Sequence, residues 1–291
     1  GWQAHEAGES AGCFWIRMAA PPPHHGTHTM KYLITGAGGQ IGSRLTALLH
    51  GKADVFAADR RTLDITRRDD VLQAALAFRP DVIINAAAYT AVDDAEHELE
   101  AAFAVNAAGA AHLAQAAQTV GAVMVQISTD YVFDGRRAAP YRETDLPSPL
   151  NVYGQSKYAG EQAVQAACVR HLIVRTAWVF GKHGSNFVKT LLQQARGQQE
   201  IRLADDNASC PTYAGDLADA VTGLLRLPHF PRGILHYCGR QAFSQYGFGM
   251  AVLKAEAERD PSFAIPSVIP VTQAELDKNG KRPIYSIRLQ P

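Results

Sequence analysis

Cysteine is scarce: the 291 residues hold four, Cys13, Cys168, Cys210 and Cys238, set far apart and never in a CxxC pair. That spacing supports neither a zinc centre nor a disulfide scaffold, and a reducing cytoplasm is the expected compartment. Net charge is absent as well, because 28 Lys and Arg balance 28 Asp and Glu. Without a basic field the chain is not expected to bind nucleic acid. No apolar run approaches the roughly 20 residues that span a bilayer, so no membrane partner is expected either. The stretch around Ile83 and Ala88 soon gives way to polar residues.

What is present is ordinary globular material, 47% hydrophobic and 19% charged, enough for one large domain or two small ones. Residues 1–29 have no pattern that buries a face. His24, His25 and His28 sit there in a low-complexity run, so this lead is expected to be a disordered extension or tag rather than a metal site. From residue 30 short apolar runs alternate with longer helical patterns. Strands are expected at 31–35, 53–58, 81–85, 122–128 and 171–175, and helices at 41–50, 67–78 and 152–167, with one or two Ala-rich helices over 95–120. That alternation predicts an α/β fold, a Rossmann-type doubly wound parallel sheet covered on both faces. After Gly181 the rhythm loosens, with helices expected at 185–197 and 216–227. Residues 30–181 therefore read as a dinucleotide-binding domain, and 182–291 as a smaller C-terminal substrate-binding lobe interleaved with it.

The run Thr35-Gly36-Ala37-Gly38-Gly39-Gln40-Ile41-Gly42 follows the first expected strand and opens the first helix. Gly36 suits the tight turn, Gly39 lets backbone approach a pyrophosphate, and Gly42 lets the helix pack against the sheet. The anion then sits at a helix N-terminus, where free N–H groups and the dipole favour it. Beyond the second strand stand Asp59, Arg60 and Arg61. An acidic side chain there accepts from a ribose 2′-OH, whereas Arg pairs with a 2′-phosphate, so NADH and NADPH are both open. Asp64 and Ile65 suit either an adenine edge or a cap for the helix after Thr66. Small residues Ala86, Ala87 and Ala88 at a strand end leave room for a flat ligand. The cofactor is thus expected against Gly36, Gly39, Gln40, Ile41, Gly42, Asp59, Arg60, Asp64, Ile65 and the three alanines, with Tyr153 and Lys157 at its reactive end.

Tyr153 and Lys157 are four apart and share one face of an expected helix. A phenol near pKa 10 is a poor acid at neutral pH, and an adjacent ammonium is expected to lower that value. Thr129, at the end of the fourth strand, is placed to hydrogen-bond a reacting carbonyl.

The stretch from Met30 to Leu289 resembles the extended short-chain dehydrogenase/reductases, and within them the dTDP-4-dehydrorhamnose reductase family. The resemblance rests on GGQIG at 38–42, NAAAYTAVDDAE at 85–96, STDYVFDG at 128–135, PLNVYGQSKYAGE at 149–161, RTAWVFG at 175–181 and CPT at 210–212. It implies reduction of the C4 ketone of dTDP-4-dehydro-L-rhamnose by NADPH or NADH, with Tyr153 as proton donor. Lys157 would then tune that acid and hold the nicotinamide ribose, and Thr129 would polarise the ketone. Asp130, Tyr131 and Trp178 would contact the sugar nucleotide. Some relatives are magnesium-bridged dimers using a carboxylate at the position of Arg44; with a cation there, no such bridge is expected, and the chain is expected to be a monomer or weak homodimer. The closing segment echoes the family's RP…SRL but stops without a final helix, as if truncated, which is expected to expose apolar surface. A related nucleotide-sugar epimerase or dehydratase, and a non-catalytic regulatory subunit keeping the cofactor fold, are the competing expectations.

Overall fold

The computed structural model describes residues 29–276 other than 138. The lead, Cys13, and the closing segment past 276 lie outside the described residues, as do the expectations placed on them.

Six parallel strands make the main sheet: β1 (Lys31–Thr35), β2 (Asp54–Ala58), β3 (Val82–Asn85), β4 (Val123–Thr129), β5 (His171–Thr176) and, much later in the chain, β9 (Gly233–His236). Their order is β2-β1-β3-β4-β5-β9. The order reverses between β1 and β3, and in an open α/β sheet the crevice at such a switch point, outside the carboxyl ends of the strands, is where ligands bind.

Alternation within the strands explains the two covered faces. Leu33, Ile83, Met124 and Ile173 point to one side, where they meet α2 (Arg68–Phe78), α5 (Ala110–Val120) and α6 (Val152–Ala167) through Val71, Ala75, Leu113 and Val164. Ile34, Ile84, Val125 and Val174 point to the other, against α1 (Gln40–Leu49) and α8 (Ala214–Leu225) through Leu45, Leu49, Leu217 and Val221. Both sets are buried, which is why these strands read as continuous apolar runs.

Between β3 and α5 lie two short helices, α3 (Val92–Ala95) and α4 (Leu99–Phe103), and a π-helical stretch at Ala104–Gly109. The widened turn has a cause in packing. Asn106 within it accepts from Tyr89 N at 2.9 Å and donates to Tyr89 O at 3.0 Å and Ser156 Oγ at 2.9 Å, tying the loop after β3 to α6.

Past β5 come β6 (Val179–Phe180), α7 (Phe187–Gly197), β7 (Glu200–Ala204) and β8 (Thr212–Tyr213), then α8, β9, α9 (Gln245–Arg259), β10 (Ser267–Val271) and α10 (Gln273–Leu276). The expected helix at 216–227 begins two residues earlier, at Ala214. β7 pairs with β10 around a separate core of Leu191, Ile201, Leu203 and Leu253, and β6 pairs with β8. Because α8 and β9 return to the main sheet, the later part of the chain is divided between two cores. Gln40 joins them: its amide donates to Val179 O at 3.3 Å and accepts from Asn186 Nδ2 at 3.1 Å. Among the described residues no helix is long and apolar enough to cross a membrane.

Candidate active site

The glycine turn between β1 and α1 is shaped by close backbone approach. Gly36 has φ +69°, and a Cβ there would stand 2.6 Å from the Ala86 carbonyl carbon and the Ala87 nitrogen. A Cβ on Gly42 would come 2.2 Å from Gly36 O. Gly42 therefore packs on the turn itself, not on the sheet as expected. Gly39 closes the turn by donating to Gly36 O at 2.9 Å, and as N-cap of α1 it offers no side chain to the helix's first N–H groups.

Beneath the turn runs a buried polar ladder that sequence reasoning missed. Thr35 Oγ1 donates to Asn85 Oδ1 at 2.7 Å, Asn85 Nδ2 to Gln126 Oε1 at 2.9 Å, and Gln126 Nε2 to Ile127 O at 3.0 Å. The signal was available: a polar residue in a strand buried on both faces needs a partner.

Two adjoining cavities lie along the strand ends and share Gly39, Ala86 and Ala88. The smaller, about 380 Å³, is lined by Gly36, Asp59, Arg60, Asp64, Ile65 and Ala87 among others. Asp59 is fully exposed, and its Oδ1 accepts from Arg61 N, Thr62 N and Thr62 Oγ1, each at 2.9 Å. These bonds, those from Thr62 foremost, hold its carboxyl below the usual range. Asp59 thus builds the turn that presents Arg60, besides facing the cavity. Asp64 likewise accepts from Thr66 N at 3.0 Å and Thr66 Oγ1 at 2.8 Å, whereas the N-cap of α2 is Arg67. Its reading as the helix cap is corrected to a turn before the helix. Ile65 is a core residue, 5% exposed, with one edge on the cavity.

The larger cavity, about 440 Å³, brings together Gln40, Ile41, Thr129, Asp130, Tyr131, Tyr153, Lys157 and Trp178. Gly42 lines neither cavity. Asn151 caps α6 by accepting from Gly154 N at 2.7 Å, and Glu96 Oε1 takes Val152 N at 2.8 Å, so the first turn that carries Tyr153 is fixed from two sides. Tyr131 meets Tyr153 edge-on, ring centroids 5.5 Å apart. Trp178, half-buried, takes a left-handed φ of 41° where the chain leaves β5, and lies over the cavity with its ring 6.5 Å from that of Phe187.

One electrostatic expectation is overturned. Burial pushes the Tyr153 phenol up to about 12; the neighbouring Thr129 hydroxyl opposes that rise and the Asp130 charge adds to it. Lys157 is not among the groups that set this value, and its Nζ donates to Ile127 O at 2.7 Å. The same burial drives Lys157 down to about 8, against the pull of Glu161. Tyr153 is therefore held protonated across the neutral range, as an acid must be before it gives its proton. Thr129 has one proton to give, and it donates to Asp130 Oδ1 at 3.0 Å while accepting from Tyr131 N at 3.2 Å. Asp130, 3% exposed, is consequently an anchor for Thr129 as well as a cavity wall.

Behind Lys157 stands a second group that sequence reasoning missed. Arg175 and Glu161, each 1% exposed, are paired through Nη2–Oε2 at 2.7 Å and Nε–Oε1 at 2.9 Å. Ser128 Oγ donates to Glu161 Oε1 at 2.5 Å, and His236 lies 3.5 Å from Arg175. Arg44 reaches across to α8 and stands 4.0 Å from Asp219. Among the described residues no cluster of His, Cys, Asp and Glu is arranged to hold a metal ion.

Comparison with known proteins shows the family of the chain. The family model of the RmlD substrate binding domain matches residues 30–290. A dTDP-4-dehydrorhamnose reductase of Aggregatibacter actinomycetemcomitans is 40% identical over 262 residues, covering 88% of this chain and 89% of its own. One from Mycobacterium tuberculosis (strain CDC 1551 / Oshkosh) is 41% identical, covering 88% of this chain and 84% of its own. Among solved structures, the dTDP-4-dehydrorhamnose reductase of Bacillus anthracis in complex with NADP is 38% identical with a TM-score of 0.85, covering 91% of this chain and 92% of its own. With the family model matching residues 30–290 and relatives at 40–41% identity covering 88% of this chain, the chain belongs to the RmlD substrate-binding-domain family.

Proposed function

We propose that this protein reduces the C4 ketone of dTDP-4-dehydro-L-rhamnose to dTDP-L-rhamnose, drawing on NADPH or NADH. The observation that carries the reading is the convergence of Thr129, Tyr153 and Lys157 on one cavity that adjoins the glycine turn. The residues fit a dinucleotide. Gly36 leaves a cradle that a Cβ would fill, the first turn of α1 carries no side-chain cap, and Arg60 stands beside Asp59 where a 2′-phosphate or a ribose hydroxyl would be read. When bound, the dihydronicotinamide supplies the hydride. Tyr153 gives its proton to the ketone oxygen, and Thr129 orients that oxygen once its own hydroxyl turns from Asp130. Lys157, cationic at neutral pH, holds a ribose hydroxyl and, once its Nζ turns from Ile127 O, stabilises the phenolate that Tyr153 leaves behind. Tyr131 and Trp178 wall the sugar side.

Residues 30–181 are taken as the dinucleotide-binding part and the later chain as the substrate lobe. A cytoplasmic monomer or weak homodimer with no magnesium bridge at Arg44 completes the proposal. A dehydratase is disfavoured because it needs an acid/base pair following Thr129, and Asp130 there is buried and hydrogen-bonded to Thr129. The test is oxidation of NADPH by purified protein, with and without dTDP-4-dehydro-L-rhamnose. Sugar-dependent oxidation supports a reductase, and tight cofactor binding without turnover would point to a regulatory subunit.

Two further outcomes are expected. Because Lys157 carries its proton below about 8 and loses it above, kcat/KM falls as pH rises through that value. A pH profile level to pH ~10 would remove the lysine cation from the reaction. Second, Asp59→Ala raises the NADPH to NADH ratio of kcat/KM, since it removes a carboxylate that repels a 2′-phosphate. An unchanged ratio leaves Asp59 with the turn alone.

A further inference from the structure

Thr176 is the last residue of β5, is 5% exposed, and its Oγ1 has no hydrogen-bond partner. Buried hydroxyls without partners are uncommon, because desolvating one without a new partner is unfavourable. Two other buried side-chain atoms among the described residues share that condition, Arg44 Nε and Ser209 Oγ, but of the three only Thr176 lines the larger cavity.

Its place in the sheet is specific. Thr176 is the register partner of Thr129 on the adjoining strand, so the two backbones stand one strand spacing apart, about 4.8 Å. If Thr129 and Tyr153 flank the reacting carbonyl, the ring carbon that gives up hydride must face that carbonyl. The carboxamide of a nicotinamide is carried on the next ring carbon, one short step to the side. A hydroxyl one strand over, at the level of the sheet edge and deeper than Tyr131 and Trp178, is where such an amide comes to rest. The hydroxyl can donate to the amide oxygen and accept from its nitrogen, so a neutral amide satisfies both of its capacities.

We propose that Thr176 Oγ1 is a specificity-determining partner of the nicotinamide carboxamide, fixing which edge of the ring faces Thr129 and Tyr153. This rests on the reading of the cavity as a nicotinamide site. Satisfying an orphaned buried hydroxyl makes the ring's orientation part of the binding energy.

The experiment compares Thr176→Val, which keeps the shape and deletes the hydroxyl, with Thr176→Ser, which restores it. Dissociation constants are measured by fluorescence for NADPH and by calorimetry for 2′-phospho-ADP-ribose, which shares everything but the nicotinamide. The expected result is NADPH binding weakened about tenfold in Thr176→Val and recovered in Thr176→Ser, with 2′-phospho-ADP-ribose within twofold of the parent protein. Equal weakening of both ligands would overturn the proposal, because a general loosening of the strand end does that. So would an unchanged NADPH constant, whether or not KM for the sugar nucleotide rises, since a rise alone assigns the hydroxyl to the sugar. Failure of the parent protein to bind NADPH at all strikes the underlying reading instead, and is seen before any variant is made.

Discussion

Tyr153→Phe lowers kcat by roughly 10²–10⁴, the contribution of a positioned acid, while the dissociation constant for NADPH stays within a few-fold. The size follows from the environment of the phenol. It lies edge-on against Tyr131 and beside Thr129, and burial holds its proton on, with a pKa of about 12. Phe keeps the ring, and with it the contact to Tyr131, so the helix turn fixed by Asn151 and Glu96 is undisturbed. Steady-state rates together with fluorescence binding decide the matter. Turnover equal to the parent would take Tyr153 out of the chemistry, and loss of NADPH binding would make it a structural residue.

Arg175→Met destabilises the fold by roughly 3–5 kcal/mol, the range for breaking a buried ion pair from one side. Arg175 and Glu161 are each 1% exposed, so solvent does not screen the carboxylate left behind, and Ser128 remains as its donor. Lost packing adds to this, since the guanidinium lies 5.1 Å from the centre of the Phe133 ring. The urea midpoint should fall at nearly constant slope. The double change Glu161→Gln with Arg175→Met should recover much of the loss, because deleting both charges leaves none stranded. A single variant with the parent's midpoint would show that the pair contributes little. The pair also sets the active site, as Glu161 is one helical turn beyond Lys157 and holds Ser128, the neighbour of Thr129.

Much of the fold was legible because its signals are local or periodic. Strands buried on both faces read as unbroken apolar runs, and the span 152–167 predicted for one helix is the observed α6. The return of β9 to the main sheet was not legible. Its four residues, Gly-Ile-Leu-His, carry no sign of a partner that lies some sixty residues earlier in the chain. The small pairs β6–β8 and β7–β10 were lost for the same reason: short strands are specified by their neighbours.

By itself the sequence determined the parallel α/β architecture, the glycine turn and the placing of Tyr153 and Lys157 on one helical face, since each depends on spacing along the chain. Only the tertiary structure decided the electrostatics. Whether an ammonium acidifies a phenol depends on where its Nζ points, and Lys157 points at Ile127 O while burial raises Tyr153. Arg175 with Glu161 and the unpartnered hydroxyl of Thr176 likewise emerge only when separate strands and a helix meet, because the cost of a buried polar group is set by what surrounds it in space.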